Sequence, residues 1–130
     1  MGQYDNVMIE LNIEKSDEAM KFAEIAIKEN GVRTALNRMY YAIFYTVCAL
    51  AYKHSYTTSN HKSLIGWFNK KFVHTDTIFD AKLSKIFYNA FHLRQESDYG
   101  PKDLPSNEEI NILLSDAKLF IETVRKSIGK

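Results

Sequence analysis

The run Ala35-Leu36-Asn37-Arg38-Met39-Tyr40-Tyr41-Ala42-Ile43-Phe44-Tyr45, continued through Cys48 to Lys53, decides the fold. Its apolar residues are not confined to one stripe of a 3.6-residue period. They surround the helix that they form, so the segment from about Val32 to Lys53 belongs at the centre of a bundle. Ala35, Ala42, Ala49 and Ala51 let neighbouring helices approach closely. Arg38 stands among the aromatics, and a guanidinium is rarely buried without a carboxylate, a phosphate or an aromatic face beside it. Arg38, Tyr41, Tyr45, Cys48 and Tyr52 recur at three- and four-residue steps and so share one face. That face reads either as a rim of packed rings with polar tips or as a binding site.

The flanking segments repeat the helical period. Before the central run, Ile9, Ile13, Ser16, Met20, Ala23 and Ile27 mark a first helix, ended by Asn30-Gly31. After it comes a polar loop, Ser55 to Asn60. Ser59 or Asn60 can cap a shorter helix carrying Leu64, Ile65, Phe68 and Phe72. A turn is expected at Thr75-Asp76-Thr77. The next helix carries Leu83, Ile86, Phe87, Ala90, Phe91 and Arg94 and is stopped by Gly100-Pro101. Ser106 and Glu109 have capping-box spacing. Behind them lies a stripe of Ile110, Leu113, Leu114, Ala117, Ile121, Val124 and Ile128. No segment alternates as a strand does. The expectation is an all-α protein, an antiparallel four-to-five-helix up-and-down bundle forming one domain over residues 1–130.

Composition narrows the function classes. Of 130 residues, 45% are hydrophobic and 25% charged, as in a soluble globular domain. The net charge of +1 gives no global field for nucleic acid, so any RNA contact must be local. The single cysteine, Cys48, forms no internal disulfide and reads as a packed thiol. No leader core is visible, and no apolar stretch approaches the roughly 20 residues of a membrane span. A cytoplasmic protein with no membrane contact is expected.

The candidate chemistry is concentrated in two places. Arg94 and Asp98 lie four apart and can pair along their helix; the sharper reading makes Arg94 a phosphate-binding fork. Tyr99 is about 140° round the helix from Arg94 and joins it only if the helix tightens or ends before Gly100. His61 opens the short helix, whose N-terminus disfavours the imidazolium. His92, two residues before Arg94, faces away from it. His54, His61, His74 and His92 have no partners at metal-ligand spacing, so neither a metal nor a cofactor is expected. Tyr40, Tyr41, Tyr45, Phe87, Tyr88 and Phe91 exceed what one small bundle easily buries, which points to a homodimer.

Three segments together resemble the HEPN family of small helical-bundle proteins. They are Ala35 through Tyr45, Asn60-His61-Lys62-Ser63-Leu64-Ile65 with Phe72-Val73, and Ala90-Phe91 through Arg94 to Asp98-Tyr99. The resemblance covers about Ser16 to Val124. It implies a homodimer, often paired with a small nucleotidyltransferase in a toxin–antitoxin-like system. Active members are metal-independent ribonucleases with an arginine and a histidine separated by four to six intervening residues. Arg94 matches that arginine, but Tyr99 stands where the histidine is expected. A tyrosine, with a reference pKa near 10, is a poor base at neutral pH. In some toxin relatives a tyrosine near this motif is adenylylated by the partner, and Tyr99 is the counterpart here. On this basis Arg94, Asp98 and Tyr99 are the catalytic candidates, and Arg38, Tyr41, Tyr45, His61 and Lys62 the ligand-binding ones. The function expected is a nucleotide- or RNA-phosphate-binding partner of a nucleotidyltransferase. An endoribonuclease toxin and a non-catalytic dimerisation scaffold are the alternatives.

Overall fold

A computed structural model describes residues 2–99 and 104–130, without the side chains of Asp98 and Tyr99. Helix α1 spans Gln3–Lys28, α2 Val32–Lys53, α3 His61–Phe68, α4 Ala81–Tyr99 and α5 Asn107–Ile128. A π-helical segment, Asn69–Thr75, continues α3. No strand occurs among the described residues. The expected stop at Gly100-Pro101 lies outside them.

Side-chain pairs across the helices establish direction. Tyr4 of α1 meets Tyr52 of α2 with ring centroids 6.3 Å apart, while Lys15 lies over Tyr45, so the two helices are antiparallel. Arg33, at the start of α2, reaches the carbonyl of Ser97, near the end of α4. Phe87 of α4 meets Phe120 of α5, and Lys53 at the end of α2 meets Ile128 at the end of α5. The four long helices therefore run up, down, up and down, and α2 packs against α1, α3, α4 and α5.

Local chemistry explains the helix ends. Asn30 takes the left-handed backbone after α1 at φ 60°, and Gly31 is the N-cap of α2. The Asn60 side chain accepts the Ser63 amide and so starts α3. Ser106 and Glu109 form the full capping box on α5. Gly129 closes α5 at φ 84°, a conformation that glycine adopts without a Cβ clash.

The α1–α2 seam is lined by small residues. Ser16 donates to the Ala42 carbonyl at 2.7 Å and lies 2.8 Å from the Thr46 hydroxyl, all of it buried. Under α3 and α4 the core is aromatic. Phe68 contacts Phe79, Phe87 and Phe120 at centroid distances of 5.3–5.8 Å.

Three expectations need correction. Tyr40, Phe87 and Phe91 are buried within one chain, so of the six rings used to argue for a dimer only Tyr41, Tyr45 and Tyr88 keep substantial exposure. The α5 stripe omitted Phe120, which is fully buried, while Leu113 and Leu114 are only half-buried. Ile27, Ile65 and Ala90 likewise sit at the edge of the core rather than inside it.

Candidate functional site

The site is built where α2, α4 and the start of α3 meet. The Arg33 Nε–H donates to the Ser97 carbonyl at 3.0 Å, a cation satisfying a carbonyl near a helix C-terminus. Ser97 in turn donates its hydroxyl to the Arg94 carbonyl at 2.9 Å. These bonds fix the last turns of α4 beside the first turns of α2. Arg94 is thereby brought over the rings of Tyr40 and Tyr41, 5.5 and 5.3 Å from their centroids. Arg38 lies over Tyr41 as well, at 5.2 Å, with its fork held by the Asn37 amide oxygen at 3.0 and 2.8 Å. Two guanidinium groups thus share one phenol ring. Stacking of this kind orients a guanidinium by its face.

His61 enters from the first residue of α3, placed there by the Asn60 cap. It stacks on Phe44 at 4.2 Å with the planes 13° apart, and the edge of Tyr41 approaches it at 5.8 Å. Its Nδ1 lies 2.6 Å from the Tyr40 hydroxyl. Burial raises the Tyr40 phenol far above its usual range, so the hydroxyl keeps its proton and needs an acceptor. His61 Nδ1 is that acceptor. Burial first, then the charge of Arg94, lowers the His61 pKa, so the ring is neutral at pH 7. A neutral imidazole that accepts at Nδ1 carries its proton on Nε2 and is a donor there.

The other candidates fall around this centre. Tyr45 packs against Tyr41 at 5.7 Å and lines a cavity of about 460 Å³ with His61, Cys48 and Tyr52, between α1, α2 and the α2–α3 loop. Cys48 is half-buried and burial pushes its thiol up to about 12, so it stays protonated at neutral pH. Lys62 points to a separate groove between α3 and α4. The backbone of Asp98 and Tyr99 is helical at the end of α4, and the proposed roles of their side chains lie outside the described residues. Among the described residues no group of three His, Cys, Asp or Glu side chains is placed to hold a metal ion. No described helix is long and apolar enough to cross a membrane.

Reading the sequence alone missed Tyr40, the ring that joins Arg94 to His61. Tyr41 and Tyr45 were chosen because they share a face with Arg38. Tyr40 lies one turn before Phe44 on the core side, a spacing that was visible but carried no sign of its partner.

The comparisons with known proteins agree with this architecture. Residues 9–127 match the family model described as the HEPN domain. A Thermotoga maritima protein named "UPF0332 protein" is 29% identical over 88% of this chain and 86% of its own length. Two Methanocaldococcus jannaschii proteins, "Putative toxin MJ0605" and "Putative toxin MJ0142", are 28% and 27% identical, over 92% and 91% of this chain and 88% and 80% of their own lengths.

Proposed function

The chain belongs to the HEPN domain family, and we propose that it is a homodimeric module that binds the phosphates of RNA or a nucleotide, as the partner of a minimal nucleotidyltransferase in a toxin–antitoxin-like pair. The observation that carries the reading is the pair of guanidinium groups, Arg38 and Arg94, stacked on Tyr41 beside a neutral His61. Two stacked forks next to an Nε2–H donor suit phosphate oxygens, which accept from all three. The toxin names of the two M. jannaschii relatives support a toxin–antitoxin setting. Tyr41 and Tyr45, half-buried at the arginine rim, supply aromatic surface of the kind that a second copy covers.

The decisive experiment is fluorescence anisotropy with single-stranded RNA. Arg94→Ala and Arg38→Ala each weaken binding and leave the helical circular dichroism signal unchanged. Light scattering gives twice the chain mass of 15.1 kDa. Co-expression with a nucleotidyltransferase encoded beside it yields a stable complex or a mass increase on Tyr99. Unchanged RNA affinity in both arginine variants rejects the phosphate site.

A ribonuclease toxin is the second reading, favoured by the placing of His61 and Arg94 against the same two rings, Tyr40 and Tyr41. Growth arrest when the chain is expressed without any partner, lost in Arg94→Ala, supports a toxin over a silent partner or a dimerisation scaffold.

A further inference from the structure

A groove of about 640 Å³ opens between α3 and α4, outside the arginine cluster. We propose that it binds a nucleobase together with its neighbouring phosphate. The groove would then be the base-reading half of the RNA or nucleotide site. The inference rests on the phosphate reading above and names what lies beside the phosphate.

Four observations converge on this ligand. Gly66 lines the groove from the interior of α3, where glycine is less favourable than alanine. A Cβ added there meets nothing within 4 Å, so no contact inside this chain requires the glycine. Its bare backbone leaves room for a flat group to approach. Tyr88 is 57% exposed, and its ring is braced by His92 at 4.3 Å with the planes 70° apart. A braced, exposed phenol is a stacking platform, and bases stack on aromatic rings whatever their sequence.

Polar chemistry completes the site. Asn69 accepts the Ser84 hydroxyl at 2.6 Å through Oδ1, which fixes the amide and leaves its NH₂ as a donor for a base carbonyl. Lys62 and Lys85 stand exposed in the lining; among the described residues neither makes an ion pair and no carboxylate lines the groove. An anion is therefore favoured. A second copy of the chain fits less well, because a two-fold axis through this face sets the two lysines against the same pair with no acidic lining between them.

The test measures binding of a fluorescein-labelled oligoadenylate and of an abasic ribose-phosphate oligomer of equal length. Tyr88→Ala weakens oligoadenylate binding roughly 5- to 150-fold, the span that one base–aromatic stack is worth, and Tyr88→Phe restores it. Gly66→Leu weakens binding at least tenfold without lowering the melting temperature, since its side chain enters open space on a helix. The abasic oligomer loses the dependence on Tyr88 but keeps that on Arg94. Competition by adenosine monophosphate assigns the groove to free nucleotides; competition by oligomers alone assigns it to RNA. If Tyr88→Ala and Gly66→Leu bind like the wild type while Arg94→Ala does not, the groove assignment is overturned and the phosphate reading stands. If only the groove variants lose binding, the groove stands and the arginine reading falls. No binding of either oligomer by the wild type, or a Gly66→Leu variant that changes only the oligomeric mass, overturns the groove proposal.

Discussion

The Tyr40 hydroxyl lies 2.6 Å from Nδ1 of His61, and this contact ties the central helix to the first residue of α3. Tyr40 is wholly buried and His61 only half-buried, so the bond runs from the core out to the site. Removing it has consequences for both. Tyr40→Phe keeps the ring packing and deletes one hydrogen bond, at a cost of about 0.5–1.5 kcal/mol. The pKa of His61 rises, because the bond that favoured its neutral form is gone. Imidazole ¹⁵N chemical shifts read the protonated nitrogen directly. A wild-type ring protonated on Nδ1 rather than Nε2 rejects the assignment.

Stability should depend on pH in a defined direction. His61 and His54 both have pKa values lowered from 6.5, by burial first. A group with a lowered folded pKa binds fewer protons in the native state than in the unfolded chain. Their contribution is present above pH 6.5, declines as the pH falls below it, and is lost as the pH passes through the folded values. The melting temperature should fall between pH 7.5 and 5. In a His54→Gln, His61→Gln double variant this part of the slope should flatten. An unchanged slope in the double variant assigns the acid sensitivity to carboxylates.

The α1–α2 seam should tolerate no added bulk. Ala42 is fully buried, and its carbonyl is contacted by both Ser16 and Thr46. Ala42→Leu forces the helices apart and costs about 1–3 kcal/mol or more by overpacking. Ser16→Ala is milder, about 1 kcal/mol, because Thr46 retains the Ala42 carbonyl as its acceptor. Urea denaturation separates the two. Equal midpoints for Ala42→Leu and the wild type mean that the seam is looser than these distances indicate.

Much of the fold was legible because it is written in local signals. The bounds expected for the central helix, Val32 to Lys53, coincide with α2, and the caps at Asn60 and Ser106–Glu109 form as their spacing predicts. The π-helical segment was not legible. Leu64, Phe68 and Phe72 recur every four residues, which an α-helix and a slightly wider π-turn accommodate alike. What selects the wider turn is tertiary: Phe72 packs on Phe68 and Phe79, and the amides of Ile78 and Phe79 both donate to its carbonyl. Phe120 was overlooked because one narrow stripe was traced through Ala117 and Ile121. In α5 the core-facing surface is wide enough to include the position between them. At the site, Arg38, Tyr41 and Arg94 were visible as unusual residues, and His61 as a possible member. Their meeting depends on α3 folding back across α2, which no local pattern encodes.

The hidden Phe120 gives a stability test. It contacts both Phe68 and Phe87 and has no exposure. Phe120→Ala should cost about 3–5 kcal/mol, the usual range for truncating a buried phenylalanine. Leu119→Ala, one residue earlier on the exposed side, should cost well under 1 kcal/mol. Similar losses from the two variants contradict the placement of this helix face.

Cleavage of RNA by the wild-type chain should be slow, independent of metal and dependent on Arg94. A positioned base accelerates proton transfer by roughly 10²–10⁴-fold. His61 is a candidate for that role, since it and Arg94 lie against the same two rings, Tyr40 and Tyr41. Its proton, however, sits on Nε2. A base attacking a ribose hydroxyl through that nitrogen needs a lone pair there, and the Tyr40 bond occupies Nδ1. What Arg94 supplies without a base is electrostatic stabilisation of the charge that develops on phosphate oxygens. Any residual cleavage should therefore persist in EDTA, fall steeply in Arg94→Ala and fall only modestly in His61→Gln, by the loss of one phosphate donor rather than of a base. Tyr99→His places a histidine at the spacing from Arg94 that the family resemblance implies for a ribonuclease. It should raise cleavage toward the 10²–10⁴-fold gain of a general base, again only with Arg94 intact. Rapid wild-type cleavage that is lost in His61→Gln makes His61 the base. The tautomer assigned from the Tyr40 contact is then wrong, and the chain is an enzyme in its own right rather than a binding partner.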